Sequence, residues 1–194
     1  MPILSRDKTK TSKLIRRITC DSMLLVAALI LSYIESFLPL FLAVPVPGIK
    51  LGLANLAVMI AAYDAGSVGS NILDALSVSL FRIFIMAILF GSISSFWFSF
   101  SGGMVSFFML AICTFPLKRF ISPLGTSLAC AAGHNAGQIF AAVLFFGNPA
   151  LIYFLPGLLF ISLITGALTG IALVIIIRRL GGINIYSPSD QPER

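Results

Sequence analysis

Within the apolar stretches of this chain a few side chains are able to do chemistry: Glu35, Lys50, Asp74 and Arg82, with Asn55 and the run Gly133-His134-Asn135-Ala136-Gly137-Gln138. His134 and Gln138 are spaced to share one helix face, and Asn135 is adjacent. The spacing of Asn71 and Arg82, about three helical turns, places them on a common face with Asp74 beside it. With Asp74 set aside as lying toward the inner half, two cations, one acid and several amide or imidazole groups suit the gripping of an anionic or zwitterionic small molecule. Arg82 is the leading residue, because a guanidinium stays charged when buried and holds a carboxylate or phosphate through two parallel hydrogen bonds. The candidate substrate-binding set is therefore Glu35, Lys50, Asn55, Arg82, His134, Asn135 and Gln138. The plainer alternative pairs Arg82 with Glu35 or Asp74 as a structural ion pair, since an unpaired intramembrane charge is costly.

Catalytic chemistry has no such support. The sequence contains no His-Glu-x-x-His, no P-loop lysine motif, and no paired-aspartate run of the kind that holds Mg²⁺ and a diphosphate. Gly125-Thr126-Ser127 lacks the second glycine of a nucleophile elbow. Three unclustered cysteines, Cys20, Cys113 and Cys130, fit neither a disulfide framework nor a zinc site. The expectation is a non-enzyme without metal or cofactor.

The elements that must position these residues are membrane helices. The chain has 194 residues, is 58% hydrophobic and only 10% charged, and has a mean hydropathy of +1.04. Such values belong to an integral membrane protein, and roughly 20 apolar residues cross a bilayer. The expected fold is an all-α bundle of about six transmembrane helices with no strands. The spans are read as Asp21 to Leu42, Lys50 to Tyr63, Val68 to Phe90, Phe98 to Phe115, Leu124 to Phe146 and Leu151 to Ile177. Residues 1–20 then form a basic cytoplasmic segment, 21–179 a single transmembrane domain and 180–194 a flexible tail. Between the first two spans, Pro45 and Pro47 cannot continue a helix, and the stretch Pro45 to Asn55 is read as a structured turn at one membrane face.

The net charge of +6 does not signal nucleic acid, because six of the thirteen basic residues precede the first apolar run. With Lys118, Arg119, Arg178 and Arg179 they fall on one side of a six-span topology, which places both termini in the cytoplasm and Lys50 outside the cell membrane. On that topology Glu35, Lys50, Asn55 and Arg82 lie in the outer half, and Asp64 and Asp74 lie toward the inner half. Ala129, Gly133, Gly137 and Ala141 form a small-residue stripe for close helix packing, and Gly166 and Gly170 form a second.

The motif Pro47-Gly48-Ile49-Lys50-Leu51-Gly52-Leu53-Ala54-Asn55, followed by Gly133-His134-Asn135-Ala136-Gly137-Gln138, resembles the Gx transporter family. That family is often labelled heptaprenyl diphosphate synthase component I and is related to the substrate-binding S components of energy-coupling factor transporters. The resemblance covers about Ser22 to Arg179. It implies six helices around an outward-facing pocket closed by the loop between the first two spans, and an importer completed by a transmembrane T component and ATPases. Small residues on the first helix meet the T component in such transporters, and Ala28-x-x-x-Ser32 is an approximate match to that pattern. The synthase label implies instead a non-catalytic membrane partner of a soluble prenyl diphosphate synthase. The leading expectation is the substrate-binding subunit, with a small-molecule substrate and membrane lipid as its partners.

Overall fold

Apolar segments in lipid must satisfy their backbone groups internally, and this chain does so with helices. The computed structural model describes residues 3–37, 50–63, 72–90 and 93–179. The helices are α1 (Ile3–Ser36), α2 (Asn55–Tyr63), α3 (Ile72–Phe90), α4 (Ile93–Thr114), α5 (Pro123–Phe146) and α6 (Leu155–Arg179), with a 3-10 turn (Pro149–Phe154) before α6. No strand occurs among the described residues. The expected all-helical membrane bundle is the fold observed.

Two boundaries differ from the sequence reading. The first helix starts at Ile3, so the basic segment and the first span are one continuous helix. The second helix starts at Asn55 rather than Lys50. Gly52 has φ 84°, a left-handed conformation that a right-handed helix does not admit. The chain turns there, with Asn55 N–H donating to Gly52 O and Leu56 N–H to Leu53 O. As a result α2 has 9 residues, and among the described residues 5 helical stretches are long and apolar enough to span a membrane.

Close approach of backbones holds the bundle together. A Cβ placed on Gly137 would lie 2.8 Å from the Ser101 carbonyl oxygen and 3.0 Å from Gly102 Cα. Ser101 Oγ donates to the Gly137 carbonyl at 2.8 Å, so α4 and α5 meet backbone to backbone. The second stripe does the same between α5 and α6, where a Cβ on Gly166 would meet Leu128 Cα at 3.0 Å and Ser127 Oγ donates to the Gly166 carbonyl at 2.8 Å. The ends of α5 are cut by local chemistry. Ser122 caps its start ahead of Pro123, and Gly147, at φ 62°, closes it.

At the other side of the bundle α1 packs on α2 and α3. Arg17 donates to Asp74 through Nε at 2.8 Å and Nη2 at 2.6 Å, a two-pronged clamp from α1 to the first turn of α3. The helix N-terminus also favours a carboxylate at that position. The alternative pairing of Asp74 with Arg82 does not form, because Arg17 takes the carboxylate. Asn71, which was expected beside it, lies outside the described residues, as do Pro39, Asp64, the stretch Pro45 to Ile49 and the tail 180–194.

Candidate functional site

Above the Arg17–Asp74 clamp, α1, the Lys50 segment, α3, α4 and α5 enclose a small cavity. Its polar lining is Ser32 and Glu35 from α1, Lys50, Arg82 from α3, Ser99 from α4 and His134 from α5, and Ile83 and Met86 complete the wall. Arg82 stands about 12 Å along α3 from Asp74, and Glu35 about 27 Å along α1 from Arg17. The cavity and the clamp therefore occupy opposite halves of the bundle.

The segment ahead of α2 reaches into the bundle without helical hydrogen bonds, so its N–H groups need acceptors from elsewhere. Glu35, 2% exposed, supplies them for Gly52 and Leu53, the latter at 3.3 Å. Gln138 Oε1 accepts from Lys50 N–H at 3.2 Å. Gln138 lies about 12 Å from the end of α5, so this irregular backbone dips well below that end of the bundle. Non-helical backbone at such depth is tolerated where protein groups satisfy it. Gly52 is required by shape as well as by φ, since a Cβ there would meet His134 Cδ2 at 3.0 Å.

Arg82 is 4% exposed, yet forms no ion pair among the described residues. Its Nη2 reaches Asn55 Oδ1 at 3.4 Å, a long bond, and Asn55 Nδ2 donates in turn to Ser106 Oγ at 3.1 Å. Arg82 Nε, Ser99 Oγ and His134 Nδ1 are buried and have no hydrogen-bond partner among the described residues. All three belong to residues that line the cavity. The other imidazole nitrogen, His134 Nε2, is 2.9 Å from the Gln138 amide nitrogen.

The seven candidate residues thus divide by position. Glu35, Lys50, Arg82 and His134 line the cavity, while Asn55 and Gln138 stand behind Arg82 and His134 and orient them. Asn135 is not brought into the group. It is turned about 100° around α5 from His134, and its amide donates to the Leu158 carbonyl of α6 at 3.0 Å. Ser32, Ser99 and Ser106 complete the arrangement and were not among the candidates. Ser32 is legible in hindsight, standing three residues before Glu35 and so on its helix face. Ser99 is one of several serines in an aromatic stretch and carries no such signal.

No curated protein and no solved structure matches the chain. The family described as heptaprenyl diphosphate synthase component I matches residues 24–176. That range contains every residue of the cavity and nearly all of the bundle, and on it the chain belongs to the heptaprenyl diphosphate synthase component I family.

Proposed function

We propose that the protein is the substrate-binding membrane subunit of a small-molecule importer, holding an anionic or zwitterionic ligand in the cavity between α1, α3, α4 and α5. One observation carries the reading: a buried guanidinium, Arg82, lines the cavity with its Nε lacking an acceptor among the described residues. Burying a cation without a partner is costly, and a ligand oxyanion is the chemistry that would offset it. Lys50 adds a second positive charge at the same wall. In this reading the cavity faces outward, both termini are cytoplasmic, and a T component with ATPases supplies the energy.

Native mass spectrometry of the detergent-purified protein should find a co-purifying small molecule. Arg82→Gln should leave the protein folded but weaken that ligand by about 2–5 kcal/mol, the usual loss when one member of a buried charged pair is removed. Lys50→Gln should have a milder effect. Undiminished binding to a folded Arg82→Gln/Lys50→Gln double variant would refute the site.

The family description favours a second reading, a non-catalytic membrane partner that recruits a soluble prenyl diphosphate synthase. The two differ in what co-purifies and whether anything crosses the membrane. Neighbouring genes for ATPases and a T component favour import, whereas a neighbouring prenyltransferase gene favours recruitment. Uptake of the identified ligand into proteoliposomes containing the complete complex decides for import.

A further inference from the structure

We infer that Gln138 holds His134 as the neutral imidazole protonated on Nδ1, and that this N–H, with Arg82 Nε–H and the Ser99 hydroxyl, is presented to a ligand oxyanion, a carboxylate or a phosphate. The inference rests on the reading of the cavity as a ligand site and names the chemistry of its ligand.

The hydrogen-bond chain leaves one consistent arrangement. The Lys50 backbone N–H can only donate, so the Gln138 atom 3.2 Å from it is the carbonyl oxygen. The amide nitrogen then faces His134 Nε2 at 2.9 Å. An amide nitrogen only donates, so Nε2 accepts and carries no proton. A neutral imidazole bears its proton on the other nitrogen, here Nδ1. The ring also packs close to backbone on two sides. A Cβ on Gly52 would touch its Cδ2 at 3.0 Å, and one on Gly102 would touch its Cε1 at 3.1 Å, so the imidazole is wedged between two glycines.

Donors then outnumber acceptors at the cavity wall. His134 Nδ1–H and Arg82 Nε–H can only donate, and among the described residues neither meets an acceptor at hydrogen-bond geometry. Glu35, the one carboxylate lining the cavity among the described residues, already takes the N–H groups of Gly52 and Leu53 on its Oε1, which leaves a single carboxylate oxygen against these donors. The other charged groups on the wall are the cations Lys50 and Arg82. A cationic ligand would leave both N–H groups unsatisfied and add a third positive charge. An oxyanion satisfies them.

The chain has one histidine, so nitrogen-15 histidine labelling of the full-length protein gives a single imidazole spectrum. The wild-type protein should show a protonated Nδ1 and a bare Nε2 at neutral pH. In Gln138→Glu the new carboxylate can only accept, and the proton should move to Nε2. A wild-type ring protonated on Nε2, or on both nitrogens, overturns the inference, and that measurement stands even if the variant fails to fold. Titration with acetate and with inorganic phosphate, against chloride at matched ionic strength, tests the ligand chemistry. The Nδ1–H signal should move with at least one of them, and which one separates carboxylate from phosphate recognition. Arg82→Gln should weaken that response about tenfold or more, as for loss of a hydrogen bond to a charged group. If neither anion moves the signal, the oxyanion assignment fails, while a neutral or cationic ligand found by native mass spectrometry would leave the broader ligand-site reading standing. Conversely, unchanged ligand binding in the Arg82→Gln/Lys50→Gln variant would sink the broader reading with the tautomer intact.

Discussion

Glu35 illustrates how one side chain can serve the fold and the site together. Its carboxylate accepts from the N–H groups of Gly52 and Leu53 while it lines the cavity that holds Arg82 and Lys50. In a bilayer these backbone donors have no water to turn to, so the acid is needed whether or not a ligand is bound. Gly52 is the partner that makes this geometry possible. Gly52→Ala would place a side chain at φ 84° and 3.0 Å from the His134 ring. The backbone penalty alone is about 1–2 kcal/mol, so thermal stability in detergent should fall by at least that equivalent. A Gly52→Ala variant as stable as wild type would show that the turn can relax to another conformation.

Helices α3 to α6 were legible because each is a long apolar run, and most of their ends agree with the sequence to within a few residues. The small-residue stripes were legible for the same reason, since periodicity places Gly133, Gly137, Gly166 and Gly170 on contact faces. Gly137→Ala should therefore destabilise the bundle by about 1–3 kcal/mol, because its Cβ would sit 2.8 Å from the Ser101 carbonyl, a backbone atom that cannot yield by changing rotamer. Thermal unfolding of the purified protein checks this. What periodicity cannot carry is long-range polar pairing. Arg17 and Asp74 are 57 positions apart, and Arg17 reads from sequence as one more cytoplasmic anchor. A double-mutant cycle of Arg17→Ala and Asp74→Ala should give a favourable coupling of about 1 kcal/mol, since the pair is only partly exposed and bidentate. Zero coupling would make the clamp incidental. The start of α2 was missed for a related reason: the donors of Lys50, Gly52 and Leu53 are satisfied by Glu35 and Gln138, which local sequence does not reveal.

At the scale of the whole molecule, the short α2 and the dipping segment before it explain each other. Nine helical residues rise about 13.5 Å, less than half of a hydrocarbon core of about 30 Å. The Lys50 segment already lies about 12 Å below the end of α5, beside Gln138, and the two lengths together nearly cover that core. Six passages, the even number that charge counting requires, therefore need α2 and the segment ahead of it to complete one crossing between them. On this topology the 3-10 turn Pro149–Phe154 faces outside and the Lys118 turn faces the cytoplasm. Tyr153, 83% exposed, is a suitable reporter for the first and Phe120, 82% exposed, for the second. With exposed Cys20 replaced by serine and the buried Cys113 and Cys130 left in place, Tyr153→Cys should be labelled in intact cells by a membrane-impermeant maleimide, and Phe120→Cys only after permeabilisation. An inverted bundle would instead leave Phe120→Cys labelled from outside and Tyr153→Cys protected. That result would turn the cavity toward the cytoplasm and rule out uptake from outside through it.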